Sequence, residues 1–146
     1  MEESFSHRVN NDLDEIHIAL AVHDSSGYYC QHPGVVMASI FEHTNNPVTF
    51  YILHDETLTQ DNKNKFIRNA EKYYQKIIFV DVREHIKKLP QDLVKFFDKV
   101  GITIGGFYRL LIPDIDIFKN LEKIIYLDCD LVVNLDINEL WQKDIK

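Results

Sequence analysis

The chain has 146 residues, of which 45% are hydrophobic and 27% charged, with a net charge of −7. That size and balance suit one globular domain with a real core and exclude a disordered segment. The acidic surplus argues against nonspecific binding to nucleic acid or to an anionic membrane.

Residues 1–15 form a polar leader. Residues 16–22 are short, mostly apolar and preceded by charge, the pattern of a buried parallel strand. His23-Asp24-Ser25-Ser26-Gly27-Tyr28-Tyr29 is a polar turn. From Gly27 to Thr44, apolar residues at Val35, Val36, Ile40 and Phe41 fall at helical spacing, with Pro33 and Gly34 suited to the first turn. Residues 47–53 predict a second strand. Thr59 is placed to cap a helix that runs to about Tyr74. Residues 76–82 predict a third strand, and residues 84–100 short helices broken at Pro90. A helix built on Phe107, Leu110 and Leu111 is expected within residues 101–113. Residues 123–127 predict a fourth strand. Leu131-Val132-Val133 continues extended, and Ile137 to Trp141 predicts a helical turn.

Strands alternating with helices predict an α/β fold with a mostly parallel sheet covered on both faces. Ligands of such sheets lie beyond the carboxyl ends of the strands, near a switch in strand order. Two polar clusters sit at such ends: His23-Asp24-Ser25 and Asp128-Cys129-Asp130. A parallel sheet of this kind would normally continue past Lys146, so the chain reads as part of a larger domain. The two cysteines, Cys30 and Cys129, read as reduced thiols of a cytoplasmic protein. There is neither a signal-peptide core nor a run of the roughly 20 apolar residues that a membrane span needs. A peripheral association with membrane stays open.

Asp128-Cys129-Asp130 carries the most chemistry. Residues i and i+2 of an extended chain point to the same side, so both carboxylates converge just past a strand end. Paired carboxylates there suit Mg²⁺ or Mn²⁺, and the cation can hold a diphosphate. The plainer alternative is a solvated turn, where Asp is common. Asp128-x-Asp130-x-Val132 also matches the nucleophile motif of haloacid-dehalogenase-like phosphatases. That motif ends a first strand, whereas three predicted strands precede it here.

The turn after the first strand could stack a tyrosine on a nucleobase and accept hydrogen bonds with Asp24. A helix-capping role for Asp24 or Ser25 explains it as well. Arg109 in an apolar helix could clamp a phosphate or pair with a site carboxylate. Alone it reads as a surface arginine. His54 and His85 read as surface residues, and Trp141 as core.

Taken together, Leu20-Ala21-Val22-His23-Asp24, Val36-Met37-Ala38-Ser39-Ile40, Phe50-Tyr51-Ile52-Leu53, Phe107-Tyr108-Arg109-Leu110, the run Lys123 to Asp130 and Leu135 to Trp141 resemble glycosyltransferase family 8. The resemblance spans about residues 16–141. It implies a GT-A (Rossmann-like) fold, a UDP-sugar donor such as UDP-glucose or UDP-galactose, a carbohydrate acceptor, Mn²⁺ or Mg²⁺, and transfer with retention. It also implies that Asp128 and Asp130 ligate the metal and that Ala21, Asp24 and Ser25 lie along uracil and ribose. Tyr28 or Tyr29 would stack on the base, and Arg109 would approach the sugar or diphosphate. His23 and Cys129 complete the expected nucleotide-sugar-binding set. The first loop departs from the family's usual Asp-Asp-Asn-Tyr, and the family's His-x-x-Gly-x-x-Lys-Pro-Trp segment, which supplies a further metal ligand, does not occur. A nucleotide-binding module without catalysis is the rival reading from another class.

Overall fold

A computed structural model describes residues 9–145. Four strands form one parallel sheet: β1 (Ile16–Val22), β2 (Val48–His54), β3 (Lys76–Asp81) and β4 (Ile125–Tyr126). Their order is β3-β2-β1-β4, and every neighbouring pair is parallel. The chain builds outward from β1 through β2 to β3, then crosses back to place β4 on the other side of β1. The switch point therefore lies between β1 and β4, where both polar clusters emerge.

The period-2 alternation of the strands sorts the core into two layers. Ile16, Ile18, Leu20 and Val22 of β1, with Phe50 and Ile52 of β2, face one layer. That layer holds α1 (Gln31–His43), α2 (Gln60–Lys72) and α6 (Asn138–Trp141). Ala19, Ala21, Tyr51 and Leu53 face the other. It holds α4 (Gln91–Val100), α5 (Ile104–Phe107) and the 3-10 segment Tyr108–Asp114, with α3 (Arg83–Lys87) at its edge. Both faces of β1 and β2 are buried, which is why these strands read as continuous apolar runs.

Local signals placed most elements. Thr59 accepts from the Asn62 amide and starts α2. Pro90 separates α3 from α4, and Gly101 ends α4 at φ 71°, a left-handed conformation that glycine adopts without cost. α1 begins at Gln31, later than the Gly27 boundary expected, because the preceding residues are held in a turn around Asp24. The described part of the leader is tied down: the Asn10 amide donates to the Asn45 carbonyl, and Asn46 Nδ2 to the Asp14 carbonyl. Residues 1–8 lie outside the described residues.

Three expectations change. The helix of residues 101–113 is a single α-turn followed by a 3-10 stretch, and Leu110 is exposed while Tyr108 is fully buried. Two glycines and Pro113 leave too little helix propensity for a longer α-helix. β4 pairs over only two residues, and Leu131-Val132-Val133 joins no ladder. His54 is buried at the end of β2, bonded through Nδ1 to the Asp55 carbonyl and stacked edge-on against Phe79. His85 is half-buried.

Candidate functional site

A cleft of about 420 Å³ opens at the carboxyl ends of β1 and β4. The β1 side contributes Ala21, His23, Asp24, Ser25 and Tyr29. The β4 side contributes Tyr126, Asp128, Cys129 and Asp130, and the third wall is Gly105, Gly106 and Arg109. Nine of the ten expected site residues therefore share one cleft. Tyr28 is the exception, turned outward to a separate groove beside α2 and 78% exposed.

The strand pleat continues past β4 and sets the carboxylate pair. Asp128 and Asp130 are exposed to the cleft, while Cys129 between them is buried and donates through Sγ to the Ala21 carbonyl at 3.2 Å. Cys129 thus supports the site from beneath. Burial, the chief cause, and the flanking aspartates push its thiol up to about 12, so it stays protonated and able to donate. Cys30 is also buried and free.

Arg109 reaches across the cleft. Its Nη2 meets Asp128 Oδ1 at 3.0 Å, its Nε donates to the Gly106 carbonyl, and its guanidinium stacks over Tyr126. An arginine stacked and tethered in this way keeps donors free for a second anion beside Asp128.

Asp24 lines the cleft, but its carboxylate works inward. It is 3% exposed and accepts from Ser26 Oγ, the Gly27 amide and the Cys30 amide. Burial alone would raise its pKa; these donors, led by Cys30, outweigh burial and bring it down to about 2. The loop-fastening role accounts for all of its contacts here, and its exposed neighbour Ser25 presents the free hydroxyl.

Sequence reasoning missed Asp55. It is buried after β2, and both of its oxygens are taken. Oδ1 accepts from the Thr57 amide at 2.8 Å and the Thr57 hydroxyl at 2.6 Å; Oδ2 accepts from Tyr108 and lies 2.6 Å from His23 Nδ1. Thr57 Oγ1 in turn accepts from the Asp24 amide. Burial opposes the charge on Asp55, yet donors from Thr57, Tyr108 and His23 hold its pKa below the usual range. The partners are remote in sequence, so only an acidic residue directly after a buried strand hinted at it.

The model of glycosyl transferase family 8 matches residues 17–146. The chain belongs to glycosyltransferase family 8. A putative glycosyltransferase of Haemophilus influenzae is 33% identical over 125 residues, covering 85% of this chain and 35% of the relative. A probable UDP-glucose:glycoprotein glucosyltransferase of Dictyostelium discoideum is 28% identical over 143 residues, 96% of this chain and 8% of the relative. This family 8 chain thus spans a minor part of the curated relatives it matches. Among solved structures, the galactosyltransferase LgtC in complex with donor and acceptor sugar analogues superposes with a TM-score of 0.66 at 24% identity, over 88% of this chain and 43% of LgtC. That likeness establishes the GT-A fold. The phosphatase alternative for Asp128 falls with the family assignment. Among the described residues no helix is long and apolar enough to cross a membrane.

Proposed function

We propose that this chain carries the nucleotide-sugar site of a retaining hexosyltransferase that moves glucose or galactose from UDP to a carbohydrate acceptor, such as a surface glycan. The observation that carries the reading is the carboxylate pair at the switch point. Asp128 and Asp130 face one cleft while Cys129 turns into the core, with Arg109 beside Asp128. The relatives' printed names, UDP-glucose in one and galactose transfer in another, support a UDP-hexose donor.

The donor set is hard oxygen, which fits Mn²⁺ or Mg²⁺. Among the described residues no group of three or more His, Cys, Asp or Glu converges as a metal site. Two carboxylates plus substrate phosphates and water match the way Mg²⁺ is commonly held. Asp128 and Asp130 would hold the ion, which when bound would offset the negative charge that grows on a departing diphosphate. The protein's own part is to position. Arg109 adds a fixed guanidinium beside that charge, Tyr29 offers an aromatic face, and Ser25 offers a hydroxyl.

The test is thermal stability with Mn²⁺ alone, UDP alone and both, on the wild type and on Asp128→Ala/Asp130→Ala. A ligand that binds only the folded state raises stability by mass action. The expected result is a shift that needs both ligands and vanishes in the variant. A shift unaffected by loss of both carboxylates contradicts the reading.

A further inference from the structure

The residues on the β1 side of the cleft include one side chain whose hydrogen-bonding state is decided by its surroundings. His23 Nδ1 lies 2.6 Å from Asp55 Oδ2. Asp55 has its other oxygen filled by two Thr57 donors, and Tyr108, itself fully buried, donates to Oδ2 alongside the histidine. An ionised carboxylate only accepts, so Nδ1 must carry the proton. In the neutral ring Nε2 is then a bare acceptor. Among the described residues Nε2 has no hydrogen-bond partner, and it is not a buried orphan. The His23 side chain is 30% exposed and borders the cleft. Gly105 of α5 packs closely against this residue: a Cβ added there would come within 2.9 Å of His23 Cβ.

An acceptor at that point is unsuited to phosphate, whose oxygens also only accept. It suits a ligand group that donates. Resting on the nucleotide reading above, we infer that Asp55 and Tyr108 are positioning residues that hold His23 as a hydrogen-bond acceptor for the nucleobase. His23 then reads a ring N–H: it accepts from N3–H of a uracil-type base and finds no such donor at N3 of cytosine.

Asp55→Asn tests this with little change of shape. The amide oxygen can keep the two Thr57 donors, which puts the NH₂ where Oδ2 meets His23. Nδ1 must then accept, and the proton moves to Nε2. An aspartate-to-asparagine change at a catalytic triad acts in the same manner, leaving geometry intact and imposing the wrong tautomer.

The experiment pairs nitrogen NMR of the His23 ring with titration of UDP and CDP in Mn²⁺. It uses the full 146-residue chain in wild-type, Asp55→Asn, His23→Gln and Asp128→Ala/Asp130→Ala forms. The wild type is expected to show Nδ1–H with bare Nε2 and to prefer UDP over CDP by about tenfold, the worth of one hydrogen bond. Asp55→Asn should show Nε2–H and a preference turned toward CDP. His23→Gln, whose amide can turn either way, should bind both alike. A wild-type ring protonated at Nε2, or at both nitrogens, overturns the inference. So does a UDP preference that survives in Asp55→Asn and His23→Gln while loss of Asp128 and Asp130 abolishes binding; the nucleotide reading then stands without it. Absence of any nucleotide binding by the wild type overturns both.

Discussion

Cys129 and Ala21 are joined by a hydrogen bond from Sγ to the carbonyl oxygen at 3.2 Å. Ala21 belongs to β1, and Cys129 follows β4, so this contact extends the pairing of the two strands past the last ladder residues, Ala19 and Tyr126. It ties the two halves of the cleft together where the backbone ladder has ended. It also explains why the residue between the aspartates is small and able to donate: a larger side chain would push the carboxylate pair off its register.

A thiol serving as a donor must remain a thiol. Burial is the leading cause that pushes both Cys129 and Cys30 up to about 12. Thiolate, the reactive species, is scarce far below the pKa. Native protein treated with iodoacetamide near neutral pH should therefore stay unmodified, and the same protein in denaturant should gain two adducts by intact mass. Rapid native alkylation of either cysteine would contradict the packing described.

Asp24 makes stability depend on pH in a defined window. Its folded pKa, about 2, lies below the ordinary aspartate value of 3.8. A group depressed on folding contributes stability above its unfolded pKa and loses it as pH falls through the folded one. The shift corresponds to about 2 kcal/mol at neutral pH. Asp24→Asn should be less stable than wild type by roughly that amount at pH 7, and the gap should close as pH falls from about 4 to about 2. Urea denaturation of both proteins at several pH values measures it. A gap that does not change with pH would assign the loss to packing.

The strands and the first two helices were legible in the sequence for reasons of local chemistry. β1 and β2 are apolar on both faces, so their runs are continuous, and α2 carries its own cap in Thr59. The carboxylate pair was legible because a period of two survives beyond β4. The conformation of the third wall of the cleft was not. Its residues 104–114 form a turn and a 3-10 stretch that bury Tyr108 against Asp55, 53 residues away in sequence, a pairing that no local pattern shows. His54 read as a surface group by type, yet it is buried at the end of β2 with its ring edge-on to Phe79 of β3, a contact invisible to spacing.

Two glycines should respond differently to alanine. At Gly105 the new Cβ would come within 2.9 Å of His23 Cβ, an atom held by backbone. Overpacking of this kind costs about 1–3 kcal/mol. At Gly27 nothing lies within 4 Å, but φ is +80°, so the cost is conformational, about 1 kcal/mol. Thermal unfolding should rank Gly105→Ala below Gly27→Ala, and Gly105→Ala should also disturb the NMR signals of His23. Equal losses without a change at His23 would mean that the helix-to-loop contact is slack.

Arg109 separates stability from binding. Its pair with Asp128 joins side chains 44% and 58% exposed, and ion pairs so wetted contribute about 0–1 kcal/mol. Arg109→Ala should therefore unfold within that margin of the wild type. If Arg109 also meets a phosphate, its loss removes a charge-assisted hydrogen bond worth about 1.5–3 kcal/mol, or at least tenfold in affinity for UDP with Mn²⁺. Arg109→Lys keeps the charge but loses the planar fork over Tyr126, so it should recover only part of the affinity. Titration of UDP against the three proteins reads this directly. Full recovery by lysine would reduce the role of Arg109 to a point charge, and unchanged affinity in Arg109→Ala would confine Arg109 to its pair with Asp128.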